Sequence, residues 1–331
     1  MLFEIQHRTE LTYAQPISES VMEVRLTPRS DAHQTLRRFH IAVGPDARIS
    51  SHIDWQGNTV HQFSVVAFHD RVVIQSNSTV ATHPQRVDPA TIQDPLRAVR
   101  SSHRLLDFLS FGGPVQRDPR IVTLAERIKL HECTRATDAV LRIMEAVRDS
   151  ITYQKGVTNS LTTVAEALDH GAGVCQDFTH VALAMLRLVG IPGRYVSGYL
   201  HRSDLPEVET HAWCEAFIPS IGWLPFDPTH GELVGEGHIA VATGRSYADV
   251  PPNRGVYRGE AEEKIAVSVT INAIEAPASL SPYTNAFHVP SYSDGPGSHL
   301  STSAYQLEQQ QQQQQQDRNK AQVQQQRQQQ Q

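Results

Sequence analysis

Residues 171–192 read GAGVCQDFTHVALAMLRLVGIP, a glycine-rich turn that runs directly into a helix. Phe178, Val181, Ala182, Met185 and Val189 recur at helical spacing, and Gly190 with Pro192 stops the run. Cys175 therefore falls at a helix N-terminus, where unpaired backbone N–H groups and the positive end of the macrodipole favour thiolate. Gly171 and Gly173 permit backbone shapes that other residues resist and leave room for a substrate against the main chain. Downstream stand His211 in HAWCEAF (211–217) and Asp227 in WLPFDPT (223–229). A cysteine nucleophile needs a base, and the base needs an orienting carboxylate, so these three residues are candidates for acyl chemistry.

Each of the three also has an ordinary reading. Free cysteines are usually buried and inert. Cys133, read as lying mid-helix after His131 and Glu132, and Cys214, read as lying within a strand, fit that description. Cys175 does not, because its own amide is offered as an oxyanion donor; residue physics leaves the catalytic and inert readings evenly open. His211 opens an alternating run in which Trp213, Glu215 and Phe217 share its face. A turn at 219–222 joins this strand to the next. Pairing Ile218 with Trp223 puts Asp227 opposite Cys214, on the face away from His211. A bulge or a one-residue shift would bring both onto one face, where the carboxylate could hold the imidazole tautomer. Taken alone, Asp227 before Pro228 is a turn former. Asp177 and His180 do not share the face of Cys175. Asp177 suits the helix dipole, and His180 is expected to bond locally. Arg194 and Tyr199 are read as packing and hydrogen-bonding residues, and Trp213 as core or as the lining of an acyl tunnel.

Around this centre the chain divides by pattern. Residues 1–86 read as short β-rich runs separated by turn residues, which suggests a β-sandwich. Pro84 and Pro89 mark a linker. From residue 95 the period becomes helical: Val140, Met144, Val147 and Ile151 form a stripe, and Thr163 with Glu166 forms a capping box. Strands follow at 194–200, 211–218 and 223–227, and the alternation of Ile265, Val267, Val269 and Ile271 predicts a final strand closing that sheet. Helices before antiparallel strands make an α+β core over 95–276. Residues 277–331 hold an unbroken glutamine run at 309–316. Such a tract cannot bury enough apolar surface to offset its ordering entropy, so a disordered tail is expected.

The bulk numbers narrow the function classes. The 331 residues include three cysteines with no CxxC, which argues against a disulfide framework or a structural zinc site. A net charge of -6 with 29 basic residues spread along the chain gives no footprint for nucleic acid. No run approaches ~18 apolar residues, and the first residues lack a signal-peptide pattern, so no membrane association and a cytoplasmic location are expected.

Three motifs in order, GVCQDFTHVALAMLRLVGIPGRYVSGY (173–199), HAWCEAFIPSIGW (211–223) and FDPTHG (226–231), resemble the transglutaminase-like superfamily, in its bacterial branch. His7, Thr9, Tyr13, Pro16, Leu26, Pro28, Arg29, Gln34, Asp54, Gly57 and Asn58 are similar to that branch's leader domain, and GRSYADVPPNRGVYRG (244–259) to the segment before its last strand. The resemblance covers residues 1–275 and leaves the tail outside. It implies a papain-like α+β core, helices on an antiparallel sheet, behind a β-sandwich-like N-terminal domain. It also implies Cys175 as nucleophile, His211 as general base then acid, and Asp227 as orienter, acting on a peptide or protein amide through a thioester without cofactor or metal. The family includes amide hydrolases and amine-transferring cross-linkers, and hydrolysis is the reading preferred here. The rival classes are true cross-linking, a non-catalytic scaffold that retains the fold, and a metal hydrolase. The last is suggested only by seventeen histidines with no clustered ligand spacing.

Overall fold

The computed structural model describes residues 1–84, 87–97, 103–202 and 209–275; the glutamine-rich stretch lies outside the described residues. The first part is all β. Strands β1 (Leu2–Ile17), β2 (Glu19–Val24), β3 (Gln34–Gly44), β4 (Ser50–Ile53), β5 (Thr59–Val65) and β6 (His69–Thr82) fill the stretch read as β-rich, with β1 running longer and β4 ending earlier than the alternation suggests. Helices α1 (Pro119–Arg127) and α2 (Ala136–Ser150) follow, then β7 (Thr152–Tyr153), α3 (Val164–His170), β8 (Ala172–Gly173) and α4 (Cys175–Val189). Strands β9 (Gly193–Leu200), β10 (Glu209–Ile218), β11 (Gly222–Asp227), β12 (Glu232–Leu233) and β13 (His238–Gly244) form a sheet in the order β12-β11-β10-β9-β13. The described chain ends with β14 (Asn253–Arg258) and β15 (Glu263–Ala273).

Helix α4 is the centre of the α+β core. Every residue from Gln176 to Arg187 is buried, as expected of a helix enclosed on all sides. It lies between the other helices and the sheet, where Ala212, Cys214, Ala216, Ile218, Leu224 and Phe226 join Phe178, Val181, Leu183 and Met185 in one apolar cluster. Alternation then puts Trp213 on the opposite face, packed with Val196, Ala240 and Val234. Cys133 is buried but not mid-helix. Lys129 in the left-handed region breaks the helical path, and Cys133 takes extended backbone before α2 begins.

The N-terminal part is a sandwich of two four-stranded sheets, β15-β1-β6-β3 and β14-β2-β5-β4, closed over Leu11, Met22, Val24, Val43, Phe63, Val72 and Ile74. The expected last strand is present, but it does not close the sheet of the core. It pairs with β1 from Phe3↔Ala273 to Tyr13↔Glu263, and β14 pairs with β2. The chain therefore returns to the first layer after building the second. The alternation of 265–271 fixes a strand with one buried face but cannot name the partner that covers it.

The two layers meet along β13, an edge strand whose free N–H and C=O groups would otherwise need solvent. Side-chain amides complete it. Gln34 donates from Nε2 to the Ala240 carbonyl at 2.8 Å and accepts from the Ala240 N–H at 2.7 Å. Asn58 donates to the Thr243 carbonyl at 2.9 Å and accepts from the Thr243 N–H at 2.8 Å. Each amide thus stands in for one residue of a neighbouring strand, on either side of the bulge between Ala240 and Ala242. Buried His7, pushed down to about 4 by burial, adds a second tie through Tyr199 Oη at 2.9 Å. Trp55 stacks on Phe108, whose ring meets Trp223 edge-on at 5.2 Å.

Replacing Asn58 by alanine leaves the Thr243 N–H and carbonyl without partners, and replacing Gln34 leaves the Ala240 N–H without one, while the Ala240 carbonyl still accepts from the Arg29 N–H at 3.0 Å. Each substitution should cost about 1–3 kcal/mol, and more than a surface substitution in the same sheet. Urea unfolding monitored by tryptophan fluorescence measures this; a loss within about 0.5 kcal/mol for both would show that β13 needs no side-chain partner.

Candidate active site

The turn before α4 is held by its own first residues. Val174 supplies no side-chain cap. Instead the Asp177 carboxylate folds back, accepting from the Val174 N–H at 2.8 Å and from Thr158 Oγ1 at 2.6 Å. Burial pushes the Asp177 carboxyl up to about 6 against these hydrogen bonds. A Cβ on Gly173 would lie 2.5 Å from Asp177 Oδ2, so glycine is required there for close approach rather than for an unusual φ. Half-buried Cys175 is the first residue of the helix. His180 does not bond locally: its Nε2 accepts from the Tyr247 N–H at 3.2 Å, tying α4 to the segment after β13.

The register of the β10–β11 hairpin differs by one residue from the simple pairing. Ile218 faces Gly222, Phe217 faces Trp223, and Cys214 faces Phe226. The tight turn takes Gly222 at φ +80 into the pair, which moves Asp227 into line with Trp213. His211 and Asp227 therefore share the face opposite α4, and His211 Nε2 lies 2.7 Å from Asp227 Oδ2. The Cys175 thiol is a second hydrogen-bond partner of the His211 ring. Burial alone would lower His211, but the charge and hydrogen bond of Asp227, followed by those of Cys175, raise it to about 10. Asp227 is fully buried, and burial would raise it. The charge and hydrogen bond of His211, with hydrogen bonds from His230 and His238, hold it well below the usual carboxylate range instead.

Two residues that sequence reading did not single out complete this centre. His230 Nδ1 lies 2.8 Å and His238 Nε2 3.2 Å from the same Asp227 Oδ2. His230 stands three residues after Asp227 in FDPTHG and was visible as a local turn partner. His238 arrives from β13, and nothing in its sequence surroundings announces it. Trp213 is core, yet it also touches the site: it stacks near His211, with centroids 6.1 Å apart, and meets His238 edge-on at 5.2 Å. A Cβ on Gly198 would lie 2.6 Å from Trp213 Cη2 and 2.2 Å from the Ile239 carbonyl, so glycine there leaves room for the indole. Arg194 pairs with Glu215 and lies 4.2 Å over the Trp223 ring, and Tyr199 bonds His7.

Metal-ligating atoms also gather here. His211, Asp227 and His230 form one group, and Asp227, Glu232 and His238 another, with ligand atoms within 4.8 Å of one another in each. The three imidazole nitrogens converge on one carboxylate oxygen at hydrogen-bonding separations. Glu232 is engaged by Arg202 at 3.1 Å. Among the described residues, no helix is long and apolar enough to cross a membrane.

The His211–Asp227 pair has a definite pH signature. His211 rises from 6.5 to about 10, so its contribution is complete below 6.5 and is lost as pH climbs through 10. Asp227 is lowered from 3.8, so its contribution is present above 3.8 and is lost as pH falls below that value. Asp227→Asn should therefore cost about 3–5 kcal/mol near pH 6. The difference from wild type should shrink above pH 10. Urea unfolding at both pH values measures this, and an equal loss at both would show that the pair is not ionic.

Residues 122–228 match the Transglutaminase-like superfamily, and residues 3–81 match the Bacterial transglutaminase-like N-terminal region. An uncharacterized protein of Mycobacterium leprae is 34% identical over 280 residues, spanning 82% of this chain and 98% of its own length. A protein-glutamine gamma-glutamyltransferase of Pseudomonas aeruginosa is 33% identical over 104 residues, spanning 28% of this chain and 16% of that protein. Among solved structures, a candidate cysteine protease from Cytophaga hutchinsonii superposes with a TM-score of 0.70 at 22% identity, covering 86% of this chain and 94% of that one. The matched motifs, the α+β core and the long mycobacterial relative lead to one assignment: the chain belongs to the transglutaminase-like superfamily, with a bacterial transglutaminase-like N-terminal region before the core.

Proposed function

We propose that this protein is a cysteine-dependent amide hydrolase whose nucleophile is Cys175, with His211 as general base then acid and Asp227 as orienter. One observation carries the reading: His211 is fixed by Asp227 at Nε2 and is also hydrogen-bonded to the Cys175 thiol at the start of α4. A histidine raised to about 10 is an imidazolium at neutral pH, which is the partner a thiolate needs. The thiolate attacks an amide carbonyl of a peptide or protein, and the Cys175 N–H holds the oxyanion. His211 gives its proton to the leaving amine, leaving a thioester on Cys175. Neutral His211 then takes a proton from water as water attacks the thioester, and the acid and free thiol are released.

The cross-linking reading shares every step except the last, in which an amine replaces water. It is supported by the short match to the Pseudomonas glutamyltransferase, as the hydrolytic reading is by the fold of the Cytophaga protein. Hydrolysis is preferred because water is abundant, and transfer needs an acceptor groove or exclusion of water around the thioester. The scaffold reading is disfavoured by the intact set of thiol, imidazole and carboxylate.

Purified protein incubated with a glutamine-containing peptide library and a fluorescent primary amine separates these readings. Ammonia or peptide release should exceed amine incorporation, with an acyl adduct on Cys175 seen by mass spectrometry and both signals lost in Cys175→Ala. Incorporation that outpaces release would assign transfer instead. Absence of any adduct, with Cys175 no more reactive to iodoacetamide than Cys133 or Cys214, would favour the scaffold.

A further inference from the structure

We propose that His230 and His238 are positioning residues that act through Asp227, holding its carboxylate in place and aimed at His211. The inference rests on the reading of Cys175, His211 and Asp227 given above. Asp227 is wholly removed from solvent, and a buried carboxylate with a single donor would take up a proton and cease to hold an imidazolium. Here its lone pairs are filled. Oδ1 accepts from the Thr229 N–H at 2.9 Å and the His230 N–H at 3.3 Å. Oδ2 accepts from His211 at 2.7 Å, His230 at 2.8 Å and His238 at 3.2 Å. The two backbone donors stop the carboxylate from rotating, and the two additional imidazoles fix Oδ2 from sides that His211 does not occupy.

The two histidines are held differently. The Gly235 N–H donates to His238 Nδ1 at 3.2 Å, so that nitrogen carries a lone pair and the ring proton sits on Nε2, facing Asp227. His238 is buried, and Trp213 lies edge-on against it while stacking near His211. His230 uses the opposite nitrogen, Nδ1, from the turn that follows Asp227; its side chain is 26% exposed and its ring lies 5.2 Å from that of His211. The substitution pattern follows from these nitrogens. A glutamine amide reaches where a histidine Nε2–H points, and an asparagine amide reaches where an Nδ1–H points. Position 238 should therefore tolerate glutamine but not asparagine, and position 230 asparagine but not glutamine.

The test is the rate of Cys175 modification by iodoacetamide in the full chain at pH 7, followed by peptide mass spectrometry beside a thermal melt of each variant. His238→Ala and His230→Ala should each slow Cys175 by about tenfold, the scale of one lost hydrogen bond to a charged group. His238→Gln and His230→Asn should restore the rate, and His238→Asn and His230→Gln should not. Where an alanine variant fails to fold, the Gln and Asn variants carry the comparison. Equal rates for Gln and Asn at both positions, or unchanged rates with altered melting alone, would mean that the histidines only pack. If Cys175 in the wild-type chain reacts no faster than Cys133 or Cys214, the assigned nucleophile fails and the positioning roles fail with it.

Discussion

A single buried carboxylate organises this protein. Asp227 has no contact with solvent, and an ion in that position costs several kcal/mol unless donors surround it. The donors come from three elements: His211 from the start of β10, Thr229 and His230 from the turn after β11, and His238 from β13. Each strand must therefore arrive in register for the charge to be tolerated. A one-residue slip of β11 against β10 would send Asp227 to the face covered by α4, where Cys214 and Phe178 lie. The cost of that misplacement makes the hairpin register a property of the whole sheet as well as of the turn at Gly222.

The same requirement gives the N-terminal sandwich a structural place in the site. The strand that supplies His238 is the edge strand whose Ala240 and Thr243 are hydrogen-bonded by Gln34 and Asn58. Asn58 is in turn set by Asp54, which accepts from its side chain at 3.0 Å and its backbone at 2.9 Å. A continuous hydrogen-bonded path thus runs from the β4–β5 turn through β13 to Asp227 and His211. The return of β14 and β15 to the sandwich fastens both ends of the core to it.

Helix α4 meets the opposite demand. Its body is buried on all sides and packs by shape, while its first residue, Cys175, is only half-buried. Asp177 and Gly173 act together there: the carboxylate caps the turn from below, and the missing Cβ makes space for it. The result is a rigid helix end with the thiol and N–H of Cys175 at the rim, the arrangement in which backbone dipoles act on a developing anion.

Elements that depend on neighbours along the chain were legible from residue pattern alone. The period of 178–189 with Gly190 after it determined α4, the Thr163–Glu166 pair determined the start of α3, and the alternation of 1–86 and 265–271 determined strands. The pattern also brought Cys175, His211 and Asp227 forward as candidates, because helix-end and turn chemistry are local and the motif order is distinctive. Packing between elements set what depends on partners. It put β15 on β1, set Asp227 level with Trp213, sent His180 to Tyr247 and brought His238 to Asp227. The physical reason is the same in each case. Periodicity states which face of an element must be covered, but the strand that covers it, and the β10 and β13 histidines that join the turn donors on Asp227, are set by how the strands pair.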